Sequence, residues 1–189
     1  MIRIVILVNI ISGKTYVAKH FGYPVFNADY EVGKLYQSNK KTFNKLKKSL
    51  PKYISSFPVD KKEISHAILT NKKNLSKIIK IIHLEIRKKM NVFLKKHKKK
   101  KIIILDIPLL LENKINNKND ILIYVESKKT GILKRLKKRK NFNQKLLKKF
   151  KSIQLPNSFK KKKSQFIIKN DFTEKSVRNS IKDILKEIL

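Results

Sequence analysis

The chain reads as an α/β protein: one parallel sheet of about five strands, flanked by helices. Three observations carry that expectation. Apolar runs without alternation recur at residues 2–8, 102–105 and 121–125, the mark of strands covered on both faces. Segments with helical spacing separate the runs, as crossovers between parallel strands require. The length of 189 residues suits one domain, residues 1–189, with room for an insertion in it.

Taken in order, the first strand feeds into Ser12-Gly13-Lys14-Thr15, and Thr15 to His20 starts a helix. Pro24-Val25-Phe26 reads as a short second strand ending at Asn27-Ala28-Asp29. Residues 30–98 are almost wholly helical in pattern, broken by Pro51 and Pro58. Their longest stretch, 75–94, puts Ile78, Ile79, Ile82, Ile86 and Met90 at helical spacing. The strand at 102–105 ends in Asp106, and a third shorter run lies at 166–168. Between the later strands come a basic helix at 130–140 and a segment, 141–163, interrupted by Pro156. Thr173 is placed to cap a last helix reaching residue 189. The lysine runs at 98–101 and 160–163 read as solvated turns.

The 48 Lys and Arg against 13 Asp and Glu give a formal charge of +35, which at face value asks for a polyanionic partner. Only five of the basic residues are Arg (Arg3, Arg87, Arg135, Arg139, Arg178), whereas proteins that grip phosphates by geometry favour the guanidinium fork. Lys is accompanied by abundant Ile and Asn, residues with A/T-rich codons. Base composition therefore accounts for much of the charge, and no specific nucleic-acid partner is expected. With no Cys, disulfides, thiolate nucleophiles and cysteine-bound metals are excluded. His20, His66, His83 and His97 show no close ligand spacing. The opening apolar run is too short for a signal-peptide core or a bilayer span, so the expectation is a soluble, cytoplasmic protein with no membrane partner. Oligomeric state is left open.

Strand, tight turn with G-K-T and helix start are the parts of a phosphate-binding P-loop. There, backbone N–H groups surround the phosphates, the Lys ammonium bridges the terminal phosphates, and the Thr hydroxyl ligates Mg²⁺. Lys14 and Thr15 fill those places, an ordinary helix start being the alternative. Asp29 and Asp106 each follow an apolar strand, where open α/β sheets keep their ligand sites. Either acid could instead serve as a local cap. Arg135 and Arg139, four apart, share a helix face from which they could clamp a phosphoryl group or simply meet solvent.

The succession S-G-K-T, N-A-D at 27–29, I-H-L-E-I-R at 82–87, D-I-P-L-L-L-E at 106–112, L-K-R-L-K-K-R at 133–139 and F-I-I-K-N at 166–170 resembles dephospho-CoA kinase over nearly the whole chain. The resemblance implies a P-loop kinase that transfers the ATP γ-phosphoryl group to the ribose 3′-hydroxyl of dephospho-CoA, with small-molecule substrates and Mg²⁺. It implies ATP binding by Ile11, Ser12, Gly13, Lys14, Thr15 and Tyr16, with Arg135 and Arg139 in a lid at about 128–163. It makes Asp29 the base, with Lys14 and Arg139 as the other catalytic groups. Residues from about 30 to 98 become an acceptor-binding insertion, with Asp29, His83, Arg87 and Asp106 on the substrate side.

Two departures stand out. The family reads D-A-D where this chain has Asn27. Its loop is close to G-G-I-G-S-G-K-[S/T], so a gapless match sets Val8, Asn9 and Ile11 at glycine positions. If Val8 and Ile11 take glycine-like backbone there, strain of about 1–3 kcal/mol each is expected, and restoring both glycines should tighten ATP binding by at least about tenfold. Another P-loop nucleoside or nucleotide kinase and a weakened pseudoenzyme are the near alternatives. A basic RNA-binding protein is the distant one, disfavoured by Lys-over-Arg usage and the lack of an aromatic platform.

Overall fold

The computed structural model describes residues 1–8, 12–137 and 142–189. The chain runs β1 (Ile2–Val8), α1 (Lys14–His20), β2 (Val25–Asn27), α2 (Ala28–Ser38), α3 (Lys40–Ser49), α4 (Lys61–Thr70) and α5 (Lys72–Lys96). It continues through β3 (Ile102–Asp106), β4 (Ile121–Ser127), α6 (Lys129–Lys137), α7 (Gln144–Lys151), α8 (Asn157–Lys163), β5 (Phe166–Asn170) and α9 (Glu174–Ile188). Two compact units result: a sheet unit of Met1–Asn27, His97–Phe142 and Gln154–Leu189, and a helical unit of Ala28–Lys96 and Asn143–Ile153.

In the sheet unit, five parallel strands lie in the order β2-β3-β1-β4-β5. β3 is buried at all five positions, which explains why it alternates so little in polarity. One face of the sheet carries Ile4, Ile6, Ile102, Ile104, Ile123, Val125 and Ile168, the period-2 set. Val17 and Ala18 from α1, Phe21 at its C-terminal cap, and Val177, Ile181 and Ile184 from α9 cover that face. Fully burying one such side chain contributes about 1.5–3 kcal/mol, so this layer fixes where α1, and the turn before it, must sit. β1 is the central strand, with β3 on one side and β4 on the other. The crevice beyond its carboxyl end is the topological switch point where open α/β sheets bind ligands.

Val8 corrects one expectation. It is the last residue of β1, paired with Val125 and packed against the core, and it is absent from the residues with positive φ. A β-branched residue suits that extended backbone, so Val8 carries no glycine-like strain. Asn9 and Ile11 lie outside the described residues.

In the helical unit, α3 and α4 begin with side-chain caps. Asn39 Oδ1 accepts from Thr42 N at 2.7 Å, and Asp60 Oδ1 accepts from Lys62 N at 2.8 Å. α5 buries Leu75, Ile78, Ile82, Ile86 and Met90, a stripe at helical spacing, and on that helix Glu85 pairs with Lys45 of α3 at 2.7 Å. Among the described residues no helix is long and apolar enough to cross a membrane.

The second lysine run also departs from expectation. Residues 160–163 belong to α8, and Lys160 is buried, its ammonium 2.8 Å from Glu112 Oε1. Glu112 Oε1 also accepts from Leu155 N at 3.0 Å. A buried ammonium survives only with such a partner, and the spacing of the lysines gave no sign of an acid 48 positions upstream.

Candidate active site

The turn after β1 reaches α1 through Gly13, whose φ of 81° is left-handed and open to glycine at no steric cost. A β-carbon there would also come within 2.7 Å of Asn170 Nδ2, so any side chain would have to displace the amide that holds the Ser12 carbonyl. Ser12 is fully buried, and its carbonyl accepts from Asn170 Nδ2 at 2.8 Å and Ser127 Oγ at 3.1 Å. The ends of β4 and β5 thus hold Ser12 in place. Asn170 closed the F-I-I-K-N motif in sequence, whereas Ser127 carried no sequence signal at all.

Beyond the turn, Lys14 and Thr15 converge on one carboxylate. Lys14 Nζ lies 2.8 Å from Asp106 Oδ1, and Thr15 Oγ1 donates to Asp106 Oδ2 at 2.7 Å. Asp106 is the last residue of β3 and is 1% exposed. Its Oδ1 makes no aligned hydrogen bond, so the Lys14 charge is what compensates that oxygen. Asn27 completes the group: its Nδ2 donates to Asp106 Oδ2 at 2.6 Å and to Thr15 Oγ1 at 3.3 Å. Asn27 faces Asp106 because β2 and β3 are neighbours in register at that pair.

These groups suit phosphate and a hard cation. Lys14 supplies a compact ammonium, while Thr15 and Asp106 present two oxygens side by side, the donor type magnesium prefers. Among the described residues no cluster of three His, Asp, Glu or Cys could hold a metal alone. A cation here would therefore rely on substrate phosphates for further ligands, as Mg²⁺ commonly does.

The other predicted residues fall as follows. Tyr16 packs against the core with its ring 4.1 Å from that of His20. Arg135, on α6, lays its guanidinium over the Phe172 ring at 4.4 Å. Asp29, just after β2, is exposed in the first turn of α2. It belongs with the helical unit. His83 and Arg87 lie one turn apart on α5, His83 half-buried and Arg87 exposed. Burial, and then the Arg87 charge, hold the His83 imidazole below the ordinary histidine value, so it favours the neutral form. Ile11 and Arg139 lie outside the described residues.

The sequence profile of dephospho-CoA kinase matches residues 3–176. Similar curated proteins include a dephospho-CoA kinase of Wolbachia from Brugia malayi, 29% identical over 181 residues that span 93% of this chain and 92% of the relative. That of Bartonella henselae is 27% identical over 186 residues, 96% and 95% of the two chains. Among solved structures, a Thermus thermophilus protein superposes with a TM-score of 0.77 at 21% identity, covering 100% of this chain and 98% of the other. Dephospho-CoA kinase from Campylobacter jejuni does so with a TM-score of 0.64 at 21% identity, covering 98% and 96%. These structural likenesses speak for the fold. With the profile running through the strands, the G-K-T turn and the Asp106 motif alike, the chain belongs to the dephospho-CoA kinase family, phosphotransferases that phosphorylate dephospho-CoA with ATP in the last step of coenzyme A synthesis.

Proposed function

We propose that this chain carries out the family reaction with Lys14, Thr15 and Asp106 as its phosphoryl-donor site and Asp29 as its base. The observation that carries the reading is the convergence of Lys14 and Thr15, adjacent residues, on the two oxygens of a single buried carboxylate 91 positions later. In the transfer, the acceptor 3′-oxygen forms a bond to the γ-phosphorus as the bond from that phosphorus to the β,γ-bridging oxygen breaks, leaving ADP. Asp29 takes the hydroxyl proton. Lys14 leaves Asp106 for the terminal phosphates and offsets their growing negative charge. Mg²⁺, when bound, neutralises charge on the β- and γ-phosphates, and Thr15 and Asp106 are the residues to hold it.

Arg135 and Arg139 would clamp the donor from a lid at about 128–163, and Ser12, Gly13 and Tyr16 would line its phosphates. The helical unit would take the acceptor, with His83 and Arg87 shaping that region. The setting proposed is the cytoplasm, with small molecules as the partners and no specific nucleic acid. A coupled assay offering dephospho-CoA against a panel of nucleosides tests the acceptor, and turnover of a nucleoside alone would reject it. Asp29→Asn should lower kcat by about 10²–10⁴-fold with ATP affinity nearly unchanged. Equal turnover of the variant and wild type at saturating substrates would remove Asp29 from the role.

A further inference from the structure

Phe172 adopts φ 71°, a left-handed backbone that residues with a β-carbon seldom enter. Its N–H donates to Asn170 Oδ1 at 2.9 Å, a bond that any residue at 172 except proline would make. The turn therefore does not ask for an aromatic side chain, and the reason for one lies in what the ring touches. A β-carbon on Gly131 of α6 would overlap the ring, so α6 comes as close to it as backbone allows. A β-carbon on Gly13 would lie 3.6 Å from Phe172 Cε1, which puts the same ring against the phosphate-binding turn. The Arg135 guanidinium covers it at 4.4 Å. Two residues earlier, buried Asn170 holds the Ser12 carbonyl at 2.8 Å. The loop between β5 and α9 thus joins the Gly13 turn to α6 through a polar bond on one side and a ring on the other.

We propose that Phe172 is a positioning residue for the phosphoryl-donor site: its ring holds the Arg135 guanidinium beside the Gly13 turn, oriented for the phosphates of ATP. Stacking suits that task because it uses the flat face of the guanidinium and none of its five N–H donors, which lie in the plane. A side chain that would otherwise lose rotamer freedom on binding is already ordered. The half-exposed ring is a platform more than a core residue. The inference rests on the reading that Arg135 meets ATP.

Calorimetric titration of ATP with Mg²⁺ into wild type, Arg135→Ala, Phe172→Gly, Phe172→Leu, Phe172→Tyr and the Arg135→Ala/Phe172→Gly double variant tests it, with melting temperature measured alongside. Phe172→Gly and Phe172→Leu should each weaken ATP by at least about fivefold. Phe172→Tyr, which keeps the face, should stay within about twofold of wild type. The double variant should bind no more weakly than Arg135→Ala alone. Unchanged affinity in Arg135→Ala would overturn the reading of Arg135 and this inference with it. A loss in Arg135→Ala without one in either Phe172→Gly or Phe172→Leu would overturn the inference alone. So would additive losses in the double variant, or a Tyr variant as weak as Leu. If Phe172→Gly does not fold, Phe172→Leu and Phe172→Tyr decide between them.

Discussion

Replacing Asp106 by Asn tests whether this carboxylate organises the donor site. The change keeps the shape and one carbonyl oxygen but removes the charge. Asp106 accepts from Thr15 and Asn27 and faces the Lys14 ammonium, all at 2.6–2.8 Å and with 1% exposure. In the variant, one oxygen becomes an NH₂ that must face either the ammonium or the two donors. Lost charge-assisted bonds cost about 1.5–3 kcal/mol each, and an unpaired buried charge more. The Lys14 side chain keeps 11% exposure, so water recovers part of its share, and the remaining Asn oxygen keeps part of the rest. The net loss should be about 3 kcal/mol, which lowers the melting temperature of a chain this size by roughly 6–12 °C.

Stability alone would not separate this account from ordinary core damage, so the informative readout is ATP affinity with and without metal. On the proposed reading, phosphate draws Lys14 away from Asp106 in wild type; in Asp106→Asn, Lys14 has no acid to leave. Metal-free ATP, titrated in the presence of a chelator, should therefore bind as tightly as in wild type or tighter. With Mg²⁺ the variant should bind more weakly and turn over slowly. A parallel loss of affinity in both conditions would refute the idea that Asp106 competes with phosphate for Lys14.

Glu112→Gln should destabilise by about 3 kcal/mol in urea unfolding, because it strands the Lys160 ammonium at 5% side-chain exposure; Lys160→Met should cost clearly less, since it removes the charge that needs a partner. His83 has a depressed folded value, so its contribution to stability is present above the ordinary histidine range and is lost as pH falls through the folded value. Melting temperature should accordingly decline on acidification less steeply in His83→Gln than in wild type, and Arg87→Gln should raise the His83 value seen by NMR. Val8→Gly should lower stability by about 1–2 kcal/mol and leave ATP affinity unimproved, the reverse of what a strained P-loop residue would give; a gain in affinity from this single change would restore the strain reading.

Much of the fold was legible because burial on both faces leaves a plain signature. The run of Ile102, Ile103 and Ile104 admits no solvent-facing side, and a strand so buried must lie inside a parallel sheet with helices above and below. Thr173 was legible as a cap for the opposite reason: its role is local, and its hydroxyl accepts from Ser176 N three residues on. What escaped were relations between distant segments. Lys160 reads as surface until Glu112 is placed beside it, and Phe172 reads as one more apolar residue until Gly131 leaves room for its ring.

The proposed donor site shows the same division. Lys14 and Asp106 were legible because each follows an apolar strand, and the two strands turn out to be neighbours. Asn27 was visible only as a departure from D-A-D, and its consequence needed the register, which sets Asn27 opposite Asp106. An aspartate at 27 would put a second carboxylate within hydrogen-bond reach of the first, and one of the two would resist ionisation or demand a cation. The amide instead donates at 2.6 Å, so the pocket is settled with one lysine and one acid. It also carries one negative charge fewer toward a metal than the D-A-D pattern would supply. On the proposed reading, Asp106, Thr15 and the phosphates of the nucleotide itself would then carry the burden of holding Mg²⁺.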